Sequence, residues 1–167
     1  AIGKSTAYNL LMSEDVLAAI DAVRKLGIKV KTTNNKCEVF GNGINGFKYK
    51  KNLILNARNS GTLGRLILGL LIKSPQKIKL IGDKSLSKRD FSRITVPLKE
   101  FGARFYYRTK NKLPLSIIGS ENIKGINYLE KKGSAQCKSS IMLAALNALG
   151  TTTIKAKKSR NHSELLF

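Results

Sequence analysis

Apolar and polar positions recur along this chain in an order that repeats. Residues 22–30 and 97–105 each have the pattern of a helix end, a glycine and a following strand. The glycines, Gly27 and Gly102, are candidate helix C-caps and lie about 75 positions apart. A polar turn, a second short strand and a closing glycine follow each of them, which is typical of a β-hairpin. The expected hairpin segments are residues 34–41 and 110–119.

The other segments recur in the same order. Apolar runs at residues 62–71 and 134–149 predict helices. Each helix leads into a strand, and each strand leads into a basic polar turn. The strand and turn are residues 77–81 and 85–89 in one copy, and residues 151–155 and 157–160 in the other.

The beginning of the chain has the pattern of the last part of an earlier copy. Residues 5–10 predict a strand, and Ser13 is a candidate N-cap for a helix over residues 16–26. Glu14 and Asp15 suit the first turn of this helix, because its free N–H groups and its dipole favour negative charge.

Together the segments predict an α/β (α+β) protein made of repeated βαβαββ units. We expect residues 1–167 to form a single incomplete domain, with about two full repeats and the tail of a preceding one. The chain does not begin with Met, and it reaches Phe167 where a helix is expected to start. We therefore expect an internal fragment of a longer protein.

Composition and charge narrow the function classes. No apolar run approaches the roughly 20 residues of a membrane span, and no secretory signal is visible, so we expect a cytoplasmic location. Cys37 and Cys137 are far apart and the chain has a single histidine, which argues against a zinc site. The net charge of +21 would suit a polyanion such as nucleic acid, but the lysines are scattered through every segment.

Two stretches carry the candidate chemistry. Residues 59–65 and 133–140 each combine small residues, an amide or hydroxyl side chain and a basic residue at the expected start of a helix. The first N–H groups of a helix have no partner within it, so they attract anions, and a nearby arginine or lysine adds full charge. The repeated arrangement predicts a site for a small ligand with several negative charges.

Five short motifs follow one another along the chain, and any one of them alone would be weak. They are Asn59-Ser60-Gly61-Thr62 with Arg65, Gly82-Asp83 with Ser85-Leu86 and Arg89, Leu113-Pro114-Leu115, Ser134-Ala135-Gln136 with Lys138-Ser139, and Ser159-Arg160 with His162. In this order they closely resemble the 5-enolpyruvylshikimate-3-phosphate synthase family of enolpyruvyl transferases. The segment from Asn9 to Asp15 is also similar to a motif of that family.

The resemblance implies a fold, an activity and partners. The fold is one domain of the inside-out α/β fold of enolpyruvyl transferases, which binds its substrates against a second domain of the same enzyme. The activity is transfer of the enolpyruvyl group of phosphoenolpyruvate to the 5-hydroxyl of shikimate 3-phosphate, in chorismate and aromatic amino acid biosynthesis. No metal, cofactor or membrane is implied. The family's catalytic lysine, aspartate and glutamate would lie outside this chain, so no catalytic residue is assigned and the chain alone is expected to be inactive.

The resemblance also assigns binding residues. Those implied for phosphoenolpyruvate are Asn59, Gly61, Thr62, Arg89 and Gln136. Those implied for shikimate 3-phosphate are Ser134, Ala135, Gln136, Ser159 and Arg160. A side chain on Gly61 would crowd the small substrate, and Ser134 can be both a helix cap and a phosphate ligand.

Three further residues have expected roles near this site. Asp90 stands where the family usually has proline, and its carboxylate can pair with Arg89 or Arg93 and weaken the anion site. Arg65 is expected to be structural, bonded to carbonyls or a carboxylate. His162 is expected to be a surface or structural histidine.

Two other functions remain open. A sister transferase that acts on a UDP-sugar shares the fold and the enolpyruvyl donor, although the Ser134 and Ser159 motifs favour the shikimate enzyme. A nucleic-acid-binding module would explain the charge, with Tyr106 and Tyr107 as a candidate stacking pair, but few other aromatics are placed for stacking, so this partner is not expected.

Overall fold

The structure is a computed structural model and describes residues 2–166, in which it has five α-helices and nine strands. The helices are α1 (Glu14–Lys25), α2 (Gly61–Leu70), α3 (Ser92–Glu100), α4 (Ala135–Ala145) and α5 (His162–Leu166). The strands are β1 (Ile2–Tyr8), β2 (Lys29–Thr32), β3 (Lys36–Asn42), β4 (Ile54–Asn56), β5 (Ile78–Ile81), β6 (Arg104–Tyr107), β7 (Leu115–Ile118), β8 (Asn127–Glu130) and β9 (Thr153–Ala156).

The central sheet contains one whole repeat unit, in the order β4, α2, β5, α3, β6 and β7. Its strand order in space is β4-β5-β7-β6. β4 and β5 are parallel, since α2 carries the chain back along the sheet between them. β5, β7 and β6 are antiparallel neighbours, and β6 with β7 is the second of the two expected hairpins.

Two partial units flank the central one. β1, α1, β2 and β3 match the last four elements of the unit and form an antiparallel sheet of order β1-β3-β2. β8, α4, β9 and α5 match the first four, and β8 is parallel to β9. The predicted α/β class is confirmed by this mixture of helices and sheets. Within residues 2–166 the sheets contain one whole unit and two partial ones. The expected single incomplete domain, with about two full repeats and the tail of a preceding one, stays a prediction.

The helix ends at the two repeat glycines follow the prediction. Gly27 and Gly102 have φ angles of +85° and +100°, in the left-handed region that glycine adopts without strain. The N–H of Gly27 donates to the carbonyl of Arg24 at 2.9 Å, which closes the end of α1. Local chemistry therefore determines where both helices stop.

The end of α4 differs from the prediction of a helix over residues 134–149. α4 stops at Ala145, and the residues beyond it turn away to pair with the segment before β8. The N–H of Leu149 donates to the carbonyl of Ile123 at 2.8 Å, and the N–H of Gly125 donates back to Leu149 at 2.9 Å. These long-range bonds compete successfully with the last turn of the helix.

α2 and α4 cross very closely within the main core. A Cβ atom on Gly69 of α2 would lie 2.1 Å from the backbone oxygen of Ser140 on α4. The Ser140 hydroxyl donates to the carbonyl of Arg65 at 2.9 Å, and Leu68 and Ile141 are fully buried nearby. Burial stabilises the fold by roughly 1.5–3 kcal/mol for each such leucine or isoleucine. The close crossing brings the N-terminal ends of both helices together.

Two features that would bear on function are absent from residues 2–166. No helix there is long and apolar enough to cross a membrane. No group of three or more His, Cys, Asp or Glu side chains there is arranged to hold a metal ion.

Candidate functional site

The start of α2 is built on a buried serine and a bare glycine. Ser60 is 3% exposed, and its Oγ accepts the N–H of Leu63 at 3.1 Å, which caps the helix. Gly61 is the first residue of the helix. A Cβ atom there would lie 2.9 Å from Nη1 of Arg65 and 2.9 Å from Nη1 of Arg89. The missing side chain thus allows two guanidinium groups to close on this backbone.

Asp83 fixes the loop that carries Arg89. Its Oδ1 accepts the N–H of Leu86 at 2.6 Å, and its Oδ2 accepts from the Asn59 amide at 2.5 Å. Arg89 in turn donates to Oδ1 of Asn59 at 3.5 Å. The Leu86 N–H and the Asn59 side chain hold the pKa of Asp83 below its usual value, so this carboxylate stays ionised near neutral pH.

The pairing expected for Asp90 is wrong. Its Oδ1 accepts the N–H of Ser92 at 2.6 Å, and this bond lowers the pKa of the carboxyl group. Arg93 instead pairs with Glu130 at 2.5 Å. Among residues 2–166, no carboxylate lies within ion-pair distance of Arg89. Because Asp90 bonds this backbone N–H, the charge of Arg89 remains available to a ligand.

The start of α4 repeats the serine cap of α2 with different support. Ser134 Oγ accepts the N–H of Cys137 at 3.3 Å. The backbone N–H of Ser134 donates to Oε2 of Glu130 at 2.8 Å. The turn before it contains Gly133 at a φ of +67°, where a Cβ would lie 3.2 Å from the carbonyl oxygen of Lys158. A buried carboxylate and a tight turn therefore set the position of this helix start.

Glu130 is a buried acid that remains ionised. The residue is 3% exposed. Burial alone would raise its pKa, but the Ser134 N–H and the Arg93 guanidinium together hold the pKa below its usual value. Burial likewise opposes the charge of Arg93, whose pKa is nevertheless raised by its bond to Glu130. The pair links α3 to the start of α4.

Arg65 connects the two helix starts. Its Nη1 donates to the carbonyl of Gly61 at 3.1 Å and to Oε1 of Gln136 at 3.1 Å. The amide nitrogen of Gln136 donates to the hydroxyl of Thr62 at 2.8 Å. Burial lowers the pKa of Arg65, yet a guanidinium stays protonated in proteins. The expected structural role of Arg65 agrees with its bond to a backbone carbonyl.

Residues at the starts of α1, α2 and α4, together with Arg89, line one cleft of about 560 Å³. The N-terminal residues of α1, α2 and α4 meet there, so partial positive charge from three helix ends points at the same space. Arg89 adds a full positive charge, while Glu14 and Asp15 place two carboxylates on the α1 side. The lining residues are Ser13, Glu14, Asp15, Asn59, Gly61, Thr62, Arg89 and Gln136.

The structure thus brings together the five residues expected to hold phosphoenolpyruvate. Ser134 and Ala135 lie directly before Gln136 at the half-buried start of α4, beside this cleft. Sequence reasoning assigned Glu14 and Asp15 only to the helix start and missed that they line the cleft. The repeated serine cap was the available signal, since Ser13, Ser60 and Ser134 cap the three helices that meet there.

Ser159 and Arg160 lie on the other side of the α4 start. Ser159 lines a separate cleft of about 650 Å³ between α4 and β9, and its hydroxyl is buried without a hydrogen-bond partner among the described residues. The carbonyl of Arg160 accepts from the ammonium of Lys138 at 3.0 Å, and its side chain is exposed. Lys138 also pairs with Glu164 of α5. These bonds keep the Ser159 loop against α4.

Three other residues considered in the sequence do not line this cleft. His162 begins α5 and is exposed, as expected. Tyr106 and Tyr107 are neighbours on β6, so their side chains point to opposite faces of the sheet. Tyr106 lies under the ammonium of Lys77, and Tyr107 stacks with Phe105. The two tyrosines therefore do not form one stacking surface.

Fold and cleft together define a repeat-built α/β protein in which three helix N-termini and Arg89 converge on one polar cleft. A family model described as EPSP synthase (3-phosphoshikimate 1-carboxyvinyltransferase) matches residues 1–167. The chain therefore belongs to the EPSP synthase family, and the resemblance seen in its motifs is confirmed.

Individual relatives agree with this family. The chain is 42% identical over 166 residues to 3-phosphoshikimate 1-carboxyvinyltransferase of Streptococcus pyogenes serotype M1, covering 98% of this chain and 38% of that protein. It is 40% identical over 169 residues to the enzyme of the same name from Bacillus subtilis strain 168, covering 100% of this chain and 39% of that protein. Thus the chain spans about two fifths of the length of these curated relatives.

A solved structure has the same fold. The EPSP synthase from Acinetobacter baumannii superimposes with a TM-score of 0.92 at 36% sequence identity. The match covers 98% of this chain and 38% of that structure.

Proposed function

We propose that this chain is the anion-binding part of an enzyme that transfers the enolpyruvyl group of phosphoenolpyruvate to the 5-hydroxyl of shikimate 3-phosphate. The observation that carries the proposal is the single cleft in which Gly61, Thr62 and Gln136 meet the unpaired guanidinium of Arg89. Both substrates are multiply charged anions, which suits helix N-termini and arginine. The proposed activity is that of a longer enzyme of which this chain is one part, because the relatives are more than twice as long.

Within the proposal, the α2 side of the cleft binds phosphoenolpyruvate. Arg89 pairs with its carboxylate or phosphate, and Asn59 holds Arg89 in place. Gly61 lets the substrate approach the backbone, and the hydroxyl of Thr62 and the amide of Gln136 complete this side.

The α4 side binds shikimate 3-phosphate. Ser134 and the N–H of Ala135 lie at the first turn of α4, where a phosphate gains both hydrogen bonds and the helix dipole. Gln136 reaches the ring or the second substrate. Ser159 and Arg160, in the loop after β9, line no part of this cleft, so their contact with the same phosphate stays a prediction.

The reaction is addition followed by elimination. The 5-hydroxyl oxygen loses its proton to a base and bonds to C2 of phosphoenolpyruvate while an acid donates a proton to C3. Loss of a C3 proton to a base and of phosphate from C2 then restores the double bond. This chain supplies binding and charge stabilisation, and the acid–base groups come from segments of the same enzyme that lie outside this chain. The proposal includes no cofactor, and the cytoplasmic location stays a prediction.

A pair of charge variants tests the binding role. Arg89→Gln and Lys88→Gln each remove one positive charge from the same loop, but only Arg89 lines the cleft. Titration calorimetry should show phosphoenolpyruvate affinity at least about tenfold weaker for Arg89→Gln and unchanged for Lys88→Gln. Equal effects of the two variants would mean that the ligand responds to overall charge, and the proposed site would be wrong.

The competing functions have their own readouts. A UDP-sugar that displaced shikimate 3-phosphate would indicate the sister transferase. Tight RNA binding with a steep salt dependence would indicate a nucleic-acid module. In a protein extended to the length of its relatives, phosphate release should require both phosphoenolpyruvate and shikimate 3-phosphate.

A further inference from the structure

One guanidinium nitrogen holds together the two helix starts of the cleft. Nη1 of Arg65 lies 3.1 Å from the carbonyl oxygen of Gly61 and 3.1 Å from Oε1 of Gln136. The rest of the guanidinium lies over the ring of Phe91, 5.3 Å from its centroid. Arg65 itself does not line the cleft, whereas Gly61 and Gln136 do.

The chemistry of Arg65 determines which way the Gln136 amide points. A guanidinium has only donors, so it can accept nothing from the NH₂ group of a glutamine. The amide oxygen of Gln136 must therefore face Arg65, and the NH₂ group must face the opposite way. There, one N–H of Gln136 donates to the hydroxyl of Thr62 at 2.8 Å.

The same orientation decides the polarity of the cleft. The second N–H of Gln136 remains free to donate, and the Thr62 hydroxyl, having accepted, still has its own proton to donate. Together with Arg89, these groups present donors to a ligand. A reversed Gln136 amide would present an acceptor oxygen, which repels phosphate and carboxylate oxygens.

We propose that Arg65 is a positioning residue, which orients the Gln136 amide so that the cleft offers hydrogen-bond donors to an anionic substrate. The proposal rests on the proposed enolpyruvyl transfer for the identity of that substrate. Because Gln136 follows Ser134 and Ala135 directly, the bond also ties the shikimate 3-phosphate side to the phosphoenolpyruvate side. We therefore expect the loss of Arg65 to act on ligand binding through Gln136.

The first test needs no ligand. In ¹⁵N-labelled protein, the two side-chain N–H signals of Gln136 should differ in chemical shift and exchange slowly with solvent, as expected for a bonded amide. Arg65→Met keeps the apolar stem and removes the donors, so these signals should move to the positions of an exposed glutamine. Unchanged Gln136 signals in Arg65→Met would overturn the proposal.

The second test is a double-mutant cycle with phosphoenolpyruvate and shikimate 3-phosphate as probes. Arg65→Met and Gln136→Ala should each weaken phosphoenolpyruvate binding about tenfold, and the double variant should be no weaker than Gln136→Ala alone. Additive losses would mean that Arg65 acts independently of Gln136, and wild-type affinity in Arg65→Met would mean that it does not act at all. Either result would refute the positioning role.

Two variants control for stability and polarity. Arg24→Met removes another helix arginine that bonds a carbonyl, that of Val30 at 2.9 Å, far from the cleft, and it should leave binding unchanged. Gln136→Glu keeps an acceptor toward Arg65 but replaces the donor with an oxygen. It should fold at least as stably as the wild type and lose binding about tenfold or more; wild-type affinity in this variant would contradict the need for a donor.

The failure of the proposed function can be told apart from the failure of this inference. Binding of neither substrate by the wild type would remove the enolpyruvyl transferase assignment. The Gln136 signals would still decide whether Arg65 orients the amide, because that measurement contains no ligand.

Discussion

The starts of α2 and α4 occupy equivalent positions in the repeat, yet they are held in different ways. Both have a serine N-cap, Ser60 or Ser134, and neither has an acidic residue in its first turn. The α2 start is supported mostly from within its own unit, where Ser60 and Gly61 are buried. The α4 start depends on the ion pair between Glu130 and Arg93. A serine-capped helix start is therefore supported mostly from within its own unit in one copy and by an ion pair in the other.

The start of α1 makes the contrast sharper. It also has a serine cap, Ser13, but its first turn contains Glu14 and Asp15. These carboxylates already complement the free N–H groups and dipole of α1. Neither α2 nor α4 has an acidic residue in its first turn, although the Glu130 carboxylate accepts the N–H of Ser134 just before α4. The absence of acids from the first turn, rather than the cap itself, distinguishes the two helices that are proposed to bind anions.

The largest effect on this comparison should come from separating α2 and α4. In Gly69→Ala the new Cβ would lie 2.1 Å from a backbone oxygen of Ser140, which cannot move aside without shifting α4. Overpacking of this kind typically destabilises a core by about 1–3 kcal/mol. Denaturant unfolding should show this loss, together with weaker binding on both sides of the cleft.

Gly64→Ala is the matched control, because it lies in the same helix. Its Cβ would lie 3.4 Å from the ring of Phe91, close to ordinary contact. Alanine also favours a helix over glycine by about 1 kcal/mol, so we expect stability near or above that of the wild type. Equal destabilisation by the two variants would refute the close crossing of α2 and α4.

Glu130→Ala should affect the α4 start and spare the α2 start. A bond to a charged group contributes about 1.5–3 kcal/mol, and the loss stays below that of a fully buried pair because the Arg93 side chain is 39% exposed and can turn into solvent. Shikimate 3-phosphate affinity should fall more than phosphoenolpyruvate affinity. Chemical denaturation and calorimetry measure the two effects.

The control for Glu130 is Glu38→Ala on the first sheet. Glu38 pairs with Lys4 and Lys36 at the surface, and solvent screens such pairs so that they contribute little to stability. This variant should leave both affinities unchanged. If Glu130→Ala behaved in the same way, the α4 start would not depend on its buried carboxylate.

What the sequence predicts well here is local. The serine caps, the glycine C-caps and the hairpins follow from residues within a few positions of one another, and the repeat follows from their recurrence. The residues of the α2 loop were also predictable as a group, because Asn59, Gly61 and Thr62 are contiguous. Local chemistry therefore specifies these features without reference to any tertiary contact.

The predictions that missed depend on distant or competing contacts. Arg65 and Gln136 are 71 positions apart, and Arg93 and Glu130 are 37 apart, so no local pattern links them. Asp90 was expected to pair with Arg89 or Arg93, but its carboxylate accepts the backbone N–H of Ser92. Glu14 and Asp15 were not predicted to line the cleft, because their place in the first turn of α1 already explained them.

A smaller and more selective effect is expected from Gly61→Ala. The added Cβ would lie 2.9 Å from guanidinium nitrogens of Arg65 and Arg89, which are flexible ends that can move away. The fold should therefore remain stable, while displacement of Arg89 weakens phosphoenolpyruvate binding about tenfold. Shikimate 3-phosphate should still bind through the α4 start.

The readout for Gly61→Ala is the ratio of the two affinities. A matched loss of both affinities would mean that the two helix starts cannot be separated functionally. A wild-type affinity for phosphoenolpyruvate would mean that the two guanidiniums are not confined by the glycine. Gly64→Ala again provides the control for adding a methyl group to α2.

Acid should affect the α4 start and leave the α2 start unchanged. Near neutral pH this effect should be the smallest of those expected. The pKa of Glu130 in the folded protein lies below its usual value of 4.5, so its contribution to stability is present above that pH and is lost as the pH falls through the lowered pKa. The N–H signal of Ser134 should then titrate, because its acceptor is the Glu130 carboxylate. The N–H signal of Leu63 should not follow this titration, because its acceptor is the hydroxyl of Ser60. In Glu130→Gln the Ser134 titration should disappear; its persistence would mean that some other acid supports the α4 start.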